Sequence, residues 1–205
     1  NKALELSLFL SIPATVALFI ASKPIVSALF GYGSFSEMSV ENSALALFYF
    51  SLGLPAFSLI KVFSSFFFAR HDTKTPFYIS LISVLLNILI SVLFFQKLGF
   101  IIIPIATSIS SWFNAIILYI FSRKKDFFVF NKVFLNRFPR ILISSLIMGL
   151  FFYFLLNLLS EKLIYSENLK FIYLLLSISV ALISYVAVSI FTKAFKMSDI
   201  NLKYK

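Results

Sequence analysis

Long apolar stretches, broken by short charged or glycine-containing turns, set the pattern of this chain. Six stretches reach the length of about 20 residues that a helix must have to cross the hydrocarbon of a bilayer. They run from about Leu4 to Phe30, from Ser39 or Glu41 to Arg70, from Thr75 to Phe95, from Phe100 to Ser122, from Ile141 to Leu159 and from Leu169 to Phe191. Pro13 falls inside the first stretch, so a kink is expected there. The second stretch is longer than one crossing, and Gly53 and Pro55 mark where it should bend. Pro76 sits in the first turn of the third, where proline is tolerated. The fold class predicted is an all-α integral membrane protein with about six transmembrane helices.

Composition agrees. Hydrophobic residues make up 60% of 205 residues, charged residues only 13%, and the mean hydropathy is +1.00. A soluble domain carries about 25% charged residues. The formal net charge of +10 would point to nucleic acid in a soluble protein. Here the cations gather at one set of turns, so they read as topology determinants and partners of anionic lipid headgroups, with no nucleic-acid role. Thirteen lysines and arginines fall on one side of the predicted crossings: Lys2, Arg70, Lys74, the loop from Arg123 to Arg140, and Lys193 onward. Lys97, Lys162 and Lys170 fall on the other. The positive-inside rule then places both termini in the cytoplasm. Residues 1–123 are expected to hold four crossings, 124–140 a basic cytoplasmic loop, 141–193 two further crossings and 194–205 a basic tail. The FFVF segment, Phe127 to Phe130, is expected to dip into the interface from that loop.

Without cysteine, disulfides and thiolate chemistry are excluded, and with a single histidine, His71, a histidine-based metal site is not expected. No constellation of nucleophile, base and metal is visible, so an enzyme is not expected. Polar residues recur on single helical faces instead: Ser51, Ser58, Lys61 and Ser65; Ser80, Ser83, Asn87 and Ser91; Thr107, Ser111 and Asn114. Such stripes either bond helix to helix or line a hydrated cavity. A lysine at membrane depth costs a few kcal/mol unless it meets a cavity or a partner. Lys61, flanked by Ser58 and Ser65, is therefore the leading candidate for contact with an anionic headgroup. Arg70, Asp72 and Lys74 read as topology anchors, with Asp72 capping the next helix, or as a gate. Lys23 reads as a lysine snorkelling to the interface.

Three stretches carry a resemblance: Gly53 to Pro76 (GLPAFSLIKVFSSFFFARHDTKTP), Pro13 to Ser36 (PATVALFIASKPIVSALFGYGSFS) and Ile105 to Tyr119 (IATSISSWFNAIILY). In order and spacing they resemble the MurJ (MviN) family of lipid II flippases, within the multidrug/oligosaccharidyl-lipid/polysaccharide exporter group. The resemblance covers Leu4 to about Arg123. It implies the C-terminal half of a MurJ-like transporter of the bacterial inner membrane, working against an N-terminal lobe by alternating access. The cargo implied is lipid II, or a related polyprenyl-pyrophosphate-linked sugar, for peptidoglycan synthesis. A non-transporting scaffold is the alternative of a different class. The resemblance also implies that the last two helices form a groove for the lipid tail. It further implies a weak sodium site at Asn87, Ser91 and Thr107, with a sodium ion or the membrane potential as coupling and no other cofactor.

Overall fold

A computed structural model describes residues 1–194, and among them all regular structure is helical. The basic tail, with Lys196, Lys203 and Lys205, lies outside the described residues. The helices are α1 (Lys2–Phe30), α2 (Glu37–Ser51), α3 (Leu54–Phe68), α4 (Lys74–Leu98), α5 (Ile102–Lys124), α6 (Lys132–Leu158) and α7 (Lys170–Phe191). α1, α6 and α7 are each long and apolar enough to cross a membrane, and so is the continuous stretch Lys74–Lys124. That stretch folds back at Gly99, whose φ of 60° and ψ of −145° belong to a region open only to glycine. Asn87 meets Thr107 and Ser110, while Asn114 meets Ser80. The reciprocal spacing shows α4 and α5 running antiparallel.

The expected bend in the second crossing is present. α2 and α3 meet at 41°. Pro55 stands at the start of α3 and cannot donate to the preceding turn. The bend would strand backbone carbonyls at membrane depth, which hydrocarbon does not tolerate. α5 supplies the donors. Ser108 Oγ donates to the Tyr49 carbonyl at 2.6 Å, and Trp112 Nε1 to the Leu52 carbonyl at 2.9 Å.

The break in α1 is not at Pro13. It lies at Ala21 (φ −106°, ψ 19°), three residues before Pro24. Pro24 has no N–H for the Ile20 carbonyl, and its ring presses on the preceding turn. The loop predicted from Arg123 to Arg140 is also shorter than expected, because α6 already begins at Lys132. The Asn131 side chain caps it, accepting from the Phe134 N–H at 2.7 Å. Lys132, Arg137, Arg140 and Pro139, placed in the loop by the sequence pattern, are all carried on the helix. FFVF packs onto the bundle. Phe128 is buried, and Phe127 and Phe130 pack against the cluster of Leu4, Leu8, Phe63, Phe67, Leu118 and Ile141 at the basic end of the bundle.

A second apolar cluster joins α1, α6 and α7 through Ala21, Met148, Phe152, Leu156, Ala181 and Tyr185. α1 and α6 cross closely here: a Cβ built on Gly149 would lie 2.5 Å from Val16 Cγ1. One glycine suffices for this close approach. α4 sits at the edge, with Pro76, Ile79 and Ser83 its buried residues.

Candidate functional site

Lys61 lies in the second half of α3, on the face away from the core. Phe63 and Phe67 point their rings into the bundle, whereas Lys61 and Ser65 are exposed and Ser58 is half-buried. Spacings of three and four residues put Ser58, Lys61 and Ser65 on one face. Ser65 Oγ donates to the Val62 carbonyl at 2.7 Å, so its hydroxyl is spent on its own helix. Lys61 makes no hydrogen bond or ion pair among the described residues. Glu5, the acid nearest in character to a membrane-depth partner, is already taken: Arg137 Nη1 donates to Glu5 Oε2 at 2.9 Å, with both side chains largely buried.

The other polar stripes turn inward. Between α3, α4 and α5 lies a cavity of about 310 Å³ lined in part by Ser80, Asn87, Thr107, Ser110 and Asn114. Asn87 Nδ2 donates to Thr107 Oγ1 at 3.1 Å and to Ser110 Oγ at 3.3 Å. The structure thus brings Asn87 and Thr107 together. It does not bring Ser91 into that cavity, and the Ser91 hydroxyl is buried without a partner. No cluster of three or more histidine, aspartate or glutamate side chains able to hold a metal occurs among the described residues. As a cation site, Asn87, Ser91 and Thr107 fit poorly: two are bonded to each other, one is elsewhere, and none is a carboxylate.

At the basic end, Asp72 ties the α3–α4 turn to the segment after α5. Asp72 Oδ1 accepts from the Thr75 N–H at 3.0 Å, and Oδ2 accepts from Thr75 Oγ1 at 2.8 Å and Lys125 Nζ at 2.6 Å. The expected cap is present, and its ion pair lies within this bundle. The Lys125 ammonium, followed by the two Thr75 donors, holds the Asp72 carboxyl at about 2 instead of the ordinary 3.8. A depressed folded-state value contributes stability above the unfolded value, lost as pH falls through the folded one. Wild type is therefore expected to lose thermal stability between pH 3.8 and about 2 more steeply than Asp72→Asn. At neutral pH the variant should be less stable by about 1 kcal/mol, as for a lost helix cap. Identical acid profiles would refute the assignment. Arg70 donates to the Phe66 carbonyl at 3.0 Å and lies 4.3 Å from the Phe127 ring centroid. Lys74 is exposed at the start of α4.

Sequence reasoning missed Lys170. Counted as a loop charge, it is 1% exposed. Its Nζ donates to the carbonyls of Gly31 and Tyr165, both at 2.7 Å, between the rings of Tyr32 and Tyr165. It fastens the α1–α2 turn to the α6–α7 connection. The nearby tyrosines were the only signal. Lys23, read as snorkelling, is ion-paired to Glu41 at 2.7 Å.

An apolar groove of about 500 Å³ runs between α1, α6 and α7, over Pro13, Ala17, Phe152, Ala181 and Tyr185. Its walls are almost wholly carbon.

Comparison with known proteins is consistent along the chain. The family model described as lipid II flippase MurJ matches residues 1–174. A probable lipid II flippase MurJ of Rhizobium meliloti is 38% identical over 149 residues, which is 73% of this chain and 28% of the relative. One from Rickettsia prowazekii is 40% identical over 125 residues, 61% of this chain and 25% of the relative. A solved structure described as lipid II flippase MurJ in an inward closed conformation superposes with a TM-score of 0.74 at 30% identity, covering 94% of this chain and 38% of that one. The chain thus spans about a quarter of the length of these two curated relatives.

Proposed function

We propose, on the premise that this chain belongs to the MurJ lipid II flippase family, that it forms one lobe of a transporter carrying lipid II across the bacterial inner membrane. Its cargo would be a polyprenyl pyrophosphate bearing a sugar, moved from the cytoplasmic to the periplasmic leaflet. The observation that carries this reading is Lys61: a cation on α3, the second arm of the bent apolar pair α2–α3, exposed and unpaired among the described residues, beside Ser58 and Ser65. A lysine is a suitable point-charge partner for phosphate. Such a charge is stable at that depth only against water, a second lobe or an anionic ligand. Alternating access supplies all three in turn, as one lobe rocks against another.

The apolar groove between α1, α6 and α7 supports a place for the prenyl tail, since its walls match a hydrocarbon chain. The Asp72, Lys125 and Arg70 contacts brace the basic end as one block, which favours rigid-body motion over local opening. Coupling to sodium or to the membrane potential belongs to the proposal only as a source of energy. No step is assigned to Asn87, Ser91 and Thr107.

The test is a chimera in which this chain replaces the matching segment of a full-length relative. It is expected to restore growth after depletion of the native flippase, with lipid II reaching the outer leaflet. Normal membrane levels without any lipid II movement would favour the scaffold instead. Orientation is read separately by single-cysteine labelling, since the described residues contain no cysteine. Ser34→Cys is expected to react with an impermeant reagent in intact cells and Lys132→Cys only after lysis. The reverse pattern would invert the topology.

A further inference from the structure

At the end of the bundle opposite the basic turns lies a second concavity of about 390 Å³, between α1, α2, α6 and the α6–α7 connection. Unlike the apolar groove, it is chemically mixed. Lys23 and Glu37 line it, with Ser27, Tyr153, Asn157 and Ser160. Ser27 is 4% exposed, and its hydroxyl has no hydrogen-bond partner. A buried hydroxyl left unpaired is costly, so one aimed at a cavity signals a ligand atom or ordered water. Glu37 makes no hydrogen bond or ion pair among the described residues, and Lys23 shares its charge with Glu41 at 2.7 Å.

The groove and this crevice lie along the same two helices, α1 and α6, but share no lining residue, and Ala21 and Phe152 are packed in the core there. On α1, Pro13 and Ala17 line the groove, and Ile20, Pro24 and Ser27 line the crevice. These residues are spaced by four and three, which is one helical face. On α6, Met148 and Phe152 line the groove, and Leu156 and Asn157 line the crevice. From Met148 to Asn157, nine residues at ~1.5 Å each give ~14 Å, close to half of a ~30 Å hydrocarbon core.

We propose that this crevice holds the ethanolamine-type zwitterionic head of one phospholipid, whose chains lie in the adjoining bilayer. Glu37 lines the crevice without a partner among the described residues, and the Lys23 ammonium is already paired with Glu41, so a purely anionic head is disfavoured. A zwitterion matches both signs: its ammonium faces Glu37, and its phosphate faces Lys23 and the Ser27 hydroxyl. The volume equals about a dozen waters at ~30 Å³ each, enough for a phosphoethanolamine and too little for a sugar-peptide head. The inference goes beyond the flippase reading and needs no transport activity.

The test reconstitutes the full-length protein in nanodiscs of equal parts phosphatidylethanolamine and phosphatidylglycerol, with a trace of undecaprenyl phosphate. Lipids retained after mild detergent extraction are then counted by native mass spectrometry. Wild type is expected to retain phosphatidylethanolamine over phosphatidylglycerol by about fivefold or more, the scale of one charge-assisted contact. Glu37→Gln, a surface change expected to leave thermal stability intact, should bring the ratio to parity. Parity in wild type, an enrichment unaltered by Glu37→Gln, or retention of undecaprenyl phosphate alone would each overturn the proposal. Any of these results leaves the flippase reading standing, since it is judged by lipid II movement.

Discussion

Lys61→Gln is expected to cut lipid II translocation about tenfold or more while the protein reaches the membrane at its normal level. The reasoning starts from where the side chain is. α3 packs through Pro55, Ala56, Phe63 and Phe67, and Lys61 lies on the opposite face without a partner among the described residues. Its removal opens no cavity in the core and strands no buried group. Glutamine keeps helix propensity and a hydrogen-bonding head, so folding should be indifferent. A pyrophosphate, by contrast, loses a charged donor, and hydrogen bonds to charged groups are worth about 1.5–3 kcal/mol. That range corresponds to roughly a tenfold to hundredfold loss. Lys61→Arg should retain part of the activity, because the charge survives while the fork geometry differs. Complementation by the full-length protein, with its membrane level followed in parallel, decides the matter. Full activity of Lys61→Gln removes the cargo contact. Loss of the protein itself makes Lys61 a structural residue.

Gly149→Ala is expected to destabilise the lobe although it improves helix propensity by about 1 kcal/mol. The new Cβ would lie 2.5 Å from Val16 Cγ1 and 3.2 Å from Ile20 Cδ1. Val16 is β-branched and half-buried on a packed helix, so its methyl cannot swing clear cheaply. Overpacking of this kind costs about 1–3 kcal/mol, which outweighs the propensity gain over most of that range. Gly149→Leu should be worse. The diagnostic result is reversal: adding Val16→Ala to Gly149→Ala should return the melting temperature of the detergent-solubilised protein to near wild type. A Gly149→Ala variant as stable as wild type, with no coupling to Val16, would mean the crossing is looser than described.

Much of the architecture is written in hydropathy, because a bilayer leaves few alternatives to long helices. The bend at Gly53 and Pro55 was legible, since a proline removes a donor wherever it stands in a helix. What was not legible is which carbonyls the bend would strand, because the donors, Ser108 and Trp112, lie more than fifty residues away. The kink in α1 was expected at Pro13, inside the apolar run, yet only Pro24 is accompanied by broken torsions. Basic residues misled at the start of α6, where charge near the end of a crossing was read as the end of the helix. The polar stripes were legible as stripes. Their division into an inward seam at Asn87, Thr107 and Asn114 and an open face at Lys61 depends on helix rotation. Packing sets that rotation, and a single helix does not encode it. Lys170 was invisible for the same reason: its acceptors are backbone carbonyls, which carry no sequence signature.

Lys170 also supplies a reference for measurement. Its ammonium holds Gly31 and Tyr165 to one point, so the α1–α2 turn and the α6–α7 connection travel together. Two spin labels at Ser34 and Ser166 would therefore keep a single separation through a transport cycle, a built-in ruler against which every other label pair on the protein can be calibrated.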